Sequence, residues 1–116
     1  MAISTAAAKA KGRALQQKVR DAILAKYPDL TPDDVRSTPM GCNGEDIQLS
    51  TAAKRAFPFS VECKARKAIA LIYDALTQAK GQNDLTPIAV VKADRKEPLV
   101  VLSLDDFMRL INPAYS

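Results

Sequence analysis

The sequence predicts an α/β fold in which a mixed central β-sheet is flanked by helices. Residues 11–27 and 65–80 each carry apolar side chains at the three- and four-residue spacing of an amphipathic helix. Between and after these segments, short runs rich in β-branched residues are bounded by turn-forming residues, which is typical of strands. The predicted order of elements is therefore α–β–β–β–α–β–β–α.

The first helix is predicted over residues 11–27. Leu15, Val19 and Ile23 recur at four-residue intervals and form one apolar stripe. Pro28 ends this helix, because proline lacks the N–H that a helix interior requires. The preceding residues, 1–10, are rich in Ala and Lys, and we expect them to be flexible. Residues 11–116 are then expected to form a single domain.

Three strands are expected next, at residues 35–37, 46–50 and 59–64. The segment 51–58 between the second and the third is polar and basic, and we expect it to be a turn. If this turn joins the two strands as neighbours, their side chains face each other across the pair.

The C-terminal half continues with the helix over residues 65–80 and then an apolar hairpin. The hairpin strands are predicted at residues 88–92 and 99–103, with a charged turn between them. Ser103 and Asp106 are spaced as in a capping box, which predicts a final short helix over residues 104–111.

Composition excludes several kinds of function. The chain has 116 residues and no histidine, which argues against His-dependent nucleases, serine-triad hydrolases and the usual zinc sites. It has no apolar run long enough to span a bilayer, so no membrane partner is expected. Only two cysteines are present, which fits a reducing, cytoplasmic setting. The net charge of +4 favours an anionic partner, with nucleic acid first.

Strand alternation brings candidate functional side chains to one face. In residues 59–64 the apolar side chains share one face, so Glu62 and Lys64 share the other. The same alternation places Asp46 on the polar face of the preceding strand and Ile47 on its apolar face. Pairing of the two strands therefore predicts that Asp46 and Glu62 converge.

Two converging carboxylates suggest a metal site. Asp46, Glu62 and the backbone carbonyl of Cys63 are hard oxygen ligands of the kind that Mg²⁺ or Mn²⁺ prefers. Lys64 beside them can orient the attacking water or stabilise negative charge on a phosphate. Together these groups suit phosphodiester hydrolysis without histidine. The Glu-x-Lys pair taken alone also fits a solvated strand face with a surface ion pair.

Several short motifs along residues 11–111 occur in a consistent order. They are Lys11-Gly12-Arg13, Val35-Arg36-Ser37, Gly44-Glu45-Asp46-Ile47, Val61-Glu62-Cys63-Lys64, Gln78-Ala79, Asp94-Arg95-Lys96 and Leu104-Asp105-Asp106-Phe107. This arrangement resembles the PD-(D/E)XK nuclease superfamily, and more closely the small archaeal-type Holliday junction resolvases and their phage-borne relatives.

The resemblance implies a restriction-endonuclease-like fold and a metal-dependent, structure-specific DNA endonuclease with Asp46, Glu62 and Lys64 at its centre. It implies a homodimer that cuts branched DNA such as a four-way junction, in the cytoplasm of a bacterial host if the chain is phage-encoded. Those resolvases carry a Glu on the first helix where this chain has Gln16, an amide that can still hold a metal-bound water. Gln78 is a further candidate, either directed at the site or at the edge of its helix without a role.

Basic residues near these motifs are candidates for phosphate contacts, although each also fits a solvated surface. The preferred ones are Lys11, Arg13, Arg36, Arg66 and Lys67. Three alternatives stay open beside the junction resolvase: a nuclease of the same fold acting on linear or flap DNA, a non-catalytic DNA-binding module of that fold, and a chance occurrence of these motifs in an unrelated basic α/β domain.

Overall fold

The structure is a computed structural model that describes residues 5–39, 46–65 and 69–111. Within these ranges the chain is a mixed α/β protein whose contacts divide it into two compact units, the first formed by residues 5–39 and 46–65 and the second by residues 69–111. The first unit contains α1 (Thr5–Lys26), β1 (Val35–Ser37), β2 (Ile47–Leu49) and α2 (Thr51–Ala56). The second contains α3 (Ala70–Lys80), β3 (Ala89–Val91), β4 (Leu99–Val101) and α4 (Leu104–Leu110).

Helix α1 begins before its predicted start and ends at Lys26, two residues before Pro28. Alanine favours the helix along its first turns, where the side chains are exposed. Its C-terminal half packs on β1, and Val19 and Ile23 are buried there, as the apolar stripe predicted. The guanidinium Nε of Arg20 donates a hydrogen bond of 2.8 Å to the Val35 carbonyl, which joins the helix to the strand.

Strands β1 and β2 pair antiparallel, with Ser37 opposite Ile47 and Val35 opposite Leu49. Val35 and Ile47 are fully buried and form the core of this unit together with Ile23. This burial is what orients the pair, because a shift of one residue would turn the apolar side chains outward.

The segment after β2 differs from the prediction. Residues 51–56 form helix α2 where a turn was predicted, so that prediction is wrong. Ser50 caps the helix by accepting a hydrogen bond of 3.1 Å from the Ala53 N–H. Phe57 follows the helix and is buried with its ring edge against Tyr27, at a centroid distance of 6.5 Å. The cap and these buried apolar contacts stabilise a helical turn, which the polar composition of residues 51–58 did not indicate.

The predicted strand over residues 59–64 is also wrong, because this segment has no regular strand pairing in the structure. Its backbone is joined to the residue before β2 through the Asp46 N–H, which donates to the Val61 carbonyl at 3.3 Å. This bond is not part of a strand ladder, and the segment that follows Pro58 is not a β-strand.

The second unit follows the predicted pattern more closely. Helix α3 starts at Ala70, later than predicted, and Gly81 ends it by donating its N–H to the Thr77 carbonyl at 3.1 Å. Strands β3 and β4 form the expected antiparallel hairpin, with Val90 opposite Val100. Ser103 caps α4, accepting a hydrogen bond of 3.1 Å from the Asp106 N–H, which confirms the predicted capping position.

Each unit therefore has its own two-stranded antiparallel sheet, and the single mixed sheet that we predicted is not seen within the described ranges. The coarser prediction of an α/β protein is confirmed, while a single domain over residues 11–116 stays a prediction. Among the described residues, no helix is both long and apolar enough to cross a membrane.

Candidate functional site

Asp46 joins β1 to the Glu-x-Lys segment. Its carbonyl accepts a hydrogen bond of 2.9 Å from the Thr38 N–H, beyond the end of β1. Its carboxylate Oδ2 accepts one of 2.5 Å from the Cys63 N–H, and its own N–H donates to the Val61 carbonyl at 3.3 Å. The structure thus brings Asp46 beside residues 61–63 although these residues form no regular strand.

Glu62 and Lys64 lie on the solvent side of that segment. Lys64 Nζ is 3.1 Å from Glu62 Oε1, and the two side chains are 62% and 63% exposed. An ion pair with this exposure contributes only about 0–1 kcal/mol. Both side chains can therefore leave the pair at little cost when a ligand offers a stronger contact.

The oxygen atoms available here are chemically of the kind that bind a divalent cation. Asp46 and Glu62 supply carboxylate oxygens, and Cys63 supplies a backbone carbonyl. One oxygen of Asp46 is held by the Cys63 N–H, whereas Oδ1 accepts no hydrogen bond from the described residues. Within the described ranges, no group of three or more His, Cys, Asp or Glu side chains is close enough to hold a metal ion.

Cys63 contributes its backbone to this site more than its thiol. The side chain is half-buried. Burial raises the pKa of the Cys63 thiol, and the negative charges of Asp46 and Glu62 raise it further. The thiol therefore stays protonated at neutral pH, which disfavours it as a soft metal ligand.

Gln16 is buried beside β1, whose partner strand β2 begins just after Asp46. Only 5% of Gln16 is exposed, and its Oε1 accepts a hydrogen bond of 2.6 Å from the Ser37 hydroxyl. Ser37 pairs with Ile47, the residue that follows Asp46. The amide oxygen that we expected to hold a metal-bound water is thus engaged in joining α1 to β1.

The basic residues expected to contact DNA have different surroundings. Lys11 and Arg13 are exposed on α1, and neither forms an ion pair within the described residues. Arg36 is exposed on β1 and lies 3.4 Å from Asp33. Arg66 and Lys67 lie outside the described residues.

Gln78 is exposed on α3 in the second unit. Its expected role beside Lys64 stays a prediction.

Sequence reasoning did not anticipate the network at the opposite end of β1 and β2. Asp34 accepts hydrogen bonds from the Thr31 N–H at 2.8 Å and from the Ser50 hydroxyl at 2.7 Å. Its carbonyl accepts another from the Ser50 N–H at 2.8 Å. The Thr31 N–H and then the Ser50 hydroxyl hold the pKa of the Asp34 carboxyl below its usual value. The three-residue spacing of Thr31 and Asp34 in a proline-containing loop was the available signal.

Comparisons with protein-family models, with characterised proteins and with solved structures returned no significant match to this chain.

Proposed function

We propose that this chain is a metal-dependent, structure-specific DNA endonuclease that hydrolyses phosphodiester bonds in branched DNA such as a Holliday junction. The observation that supports the proposal is the contact between the Asp46 carboxylate and the Cys63 backbone, which brings an acid beside the exposed Glu62 and Lys64. A restriction-endonuclease-like fold, a homodimer and a cytoplasmic location are parts of the same proposal.

In this proposal Asp46, Glu62 and the Cys63 carbonyl hold Mg²⁺ or Mn²⁺. The bound cation supplies Lewis-acid activation of the phosphate and of the attacking water. Lys64 Nζ, once released from Glu62, stabilises the negative charge that develops on the phosphate oxygens. The Cys63 N–H keeps one oxygen of Asp46 fixed, so that the remaining oxygen is presented in a single orientation.

The experiment is a nicking assay with Mg²⁺ or Mn²⁺ on an end-labelled four-way junction and on a linear duplex of matched sequence. Wild type is compared with Glu62→Gln and with Glu97→Gln, which alters an exposed glutamate in the β3–β4 hairpin as a matched control. Symmetric cuts in the junction by wild type and Glu97→Gln, lost in Glu62→Gln, support the proposal. Equal cutting of both DNAs indicates a nuclease acting on linear or flap DNA instead.

A second candidate, a non-catalytic DNA-binding module, is favoured by one observation. Gln16 replaces the acid of the resembling resolvases, and its amide oxygen is used by the Ser37 hydroxyl. Retained DNA binding without cutting of either substrate, together with no thermal stabilisation by Mg²⁺ or Mn²⁺, would establish that candidate and reject the nuclease.

A further inference from the structure

The N-terminal part of α1 carries a concentration of positive charge. Residues 5–20 contain five basic residues and no acidic residue. They are Lys9, Lys11, Arg13, Lys18 and Arg20. All are exposed except Arg20, which is partly buried. At a rise of about 1.5 Å per residue, these charges extend over about 17 Å of helix.

The helix runs antiparallel to β1, and two contacts fix its register. Arg20 contacts the Val35 carbonyl, and Gln16 contacts the Ser37 hydroxyl. Four helical residues span about 6 Å and two strand residues span about 7 Å, so the two elements advance together. One further turn toward the N-terminus brings Arg13 to the level of Thr38, whose N–H is bonded to the Asp46 carbonyl.

The basic residues of α1 form two rows. Lys9, Arg13 and Arg20 are spaced by four and seven residues, so they lie on one side of the helix. Arg20 shows which side this is, because it reaches the backbone of β1. Lys11 and Lys18, seven residues apart, lie on another side. We call Lys9 and Arg13 the site-facing row and Lys11 and Lys18 the outer row.

We propose that the site-facing row binds successive phosphates of the nucleic-acid strand that approaches Asp46. Lys9 and Arg13 are exposed, have no ion-pair partner among the described residues, and lie where the helix extends past the end of β1 toward Asp46. The inference rests on the proposed function for the identity of the strand as a DNA substrate. The binding of phosphate itself does not depend on catalysis.

The test measures binding of a fluorescent four-way junction by anisotropy in EDTA, from about 50 to about 200 mM salt. A Lys9→Gln/Arg13→Gln variant removes two charges while keeping good helix-forming residues. We expect it to reduce the slope of log K against log salt by about 2, because each phosphate contact contributes about 0.9.

Two matched double variants serve as controls. Lys11→Gln/Lys18→Gln removes the same charge from the outer row, and Lys92→Gln/Lys96→Gln removes it from the β3–β4 hairpin. We expect each control to change the slope by less than half as much as Lys9→Gln/Arg13→Gln does. For the outer row this result would also decide against Lys11 as the phosphate contact that the sequence suggested. If the site-facing and outer-row variants reduce the slope equally, the assignment of the site-facing row is overturned. An unchanged slope in Lys9→Gln/Arg13→Gln would overturn it as well. Lys9- and Arg13-dependent binding to anionic vesicles, with no binding to DNA, would overturn it in favour of a membrane surface.

The assay separates this inference from the proposed function. It contains no divalent cation, so no cleavage contributes to the signal. If the slope changes as expected and the nicking assay shows no cutting, the site-facing row stands as a DNA-binding surface and only the nuclease fails. If cutting occurs and the slope is unchanged, the nuclease stands and the site-facing row fails.

Discussion

The Cys63 N–H donates a hydrogen bond of 2.5 Å to Oδ2 of Asp46, although the two residues are 17 positions apart in the chain. This bond does what a regular strand pairing was expected to do, because it holds the Glu-x-Lys segment beside the start of β2. Under the proposed function the carboxylate has two roles, since Oδ2 positions the Cys63 backbone and Oδ1 is the oxygen offered to the metal.

Asp46→Asn should separate the two roles of this carboxylate. The amide oxygen can still accept from the Cys63 N–H, so we expect a change in the free energy of unfolding within about 1 kcal/mol. Loss of the negative charge should reduce metal-dependent cleavage by at least the roughly 10- to 100-fold that follows loss of a group supporting a metal ligand. Thermal unfolding with and without Mg²⁺ provides the second readout, because a ligand at 100 times its Kd stabilises by about 2.7 kcal/mol.

Asp46→Ala is the companion to this variant. It leaves the Cys63 N–H without its acceptor and should cost a further 1–3 kcal/mol, on the order of an unmade hydrogen bond. Stabilisation of Asp46→Asn by Mg²⁺ to the same extent as wild type would contradict the assignment of Asp46 as a ligand.

Gln16→Glu tests whether the neutral amide of Gln16 weakens cation binding at the site. The added charge is buried at 5% exposure, and a buried charge costs more than a buried neutral polar group, so we expect the variant to lose more than about 1–3 kcal/mol of stability in EDTA at neutral pH. If the side chain contributes to the cation site, Mn²⁺ should restore more stability to Gln16→Glu than to wild type. Gln17→Glu, an exposed neighbour, is the matched control and should show neither effect. Urea unfolding with and without Mn²⁺ measures both the loss of stability and the stabilisation by Mn²⁺. Equal stabilisation of the two variants by Mn²⁺ would exclude a role for residue 16 in cation binding.

Asp34 should make stability depend on pH in the acid range. The Thr31 N–H and the Ser50 hydroxyl lower the pKa of the folded-state carboxyl from its usual value of 3.8. Its contribution is therefore fully present above the unfolded-state pKa of about 3.9 and is lost as the pH falls through the lowered folded-state value.

The measurement for Asp34 is the urea midpoint from about pH 6 to about pH 2. The stability difference between wild type and Asp34→Asn should be constant near neutral pH and should shrink below about pH 4. Asp29→Asn, an exposed carboxylate in the same loop, is the control. A difference for Asp34→Asn that stays constant down to the lowest pH would contradict the hydrogen-bond network.

Ser103→Ala should destabilise the second unit through the loss of its helix cap. The Ser103 hydroxyl accepts from the Asp106 N–H at 3.1 Å, and removing such a cap costs about 1 kcal/mol. Ser103→Asp keeps a capping oxygen and should retain most of the stability. Amide hydrogen exchange over residues 104–110 is the measurement, because it reports on this helix directly. Equal exchange over these residues in Ser103→Ala and in wild type would show that the cap contributes nothing.

Periodicity and capping signals predicted the local elements that need few distant contacts. The apolar stripe of α1, the hairpin of β3 and β4, and the Ser103 cap of α4 all depend on residues within about a dozen positions of one another, so the local sequence contains their determinants. The same alternation singled out Asp46, Glu62 and Lys64, and the structure places Asp46 beside the segment that contains the other two.

The sequence by itself thus determined an α/β chain with a basic first helix and an apolar hairpin, whereas the strand expected to present Glu62 and Lys64 on one face is not formed. Tertiary structure decided which contacts hold the elements of the first unit together. Residues 51–56 are helical because Ser50 caps them and Phe57 is buried against Tyr27, a residue 30 positions away. The Gln16 amide joins α1 to β1 because the Ser37 hydroxyl donates to its oxygen across the α1–β1 packing. Such contacts depend on which distant surfaces bury apolar area against each other, and the local spacing of residue types does not specify this.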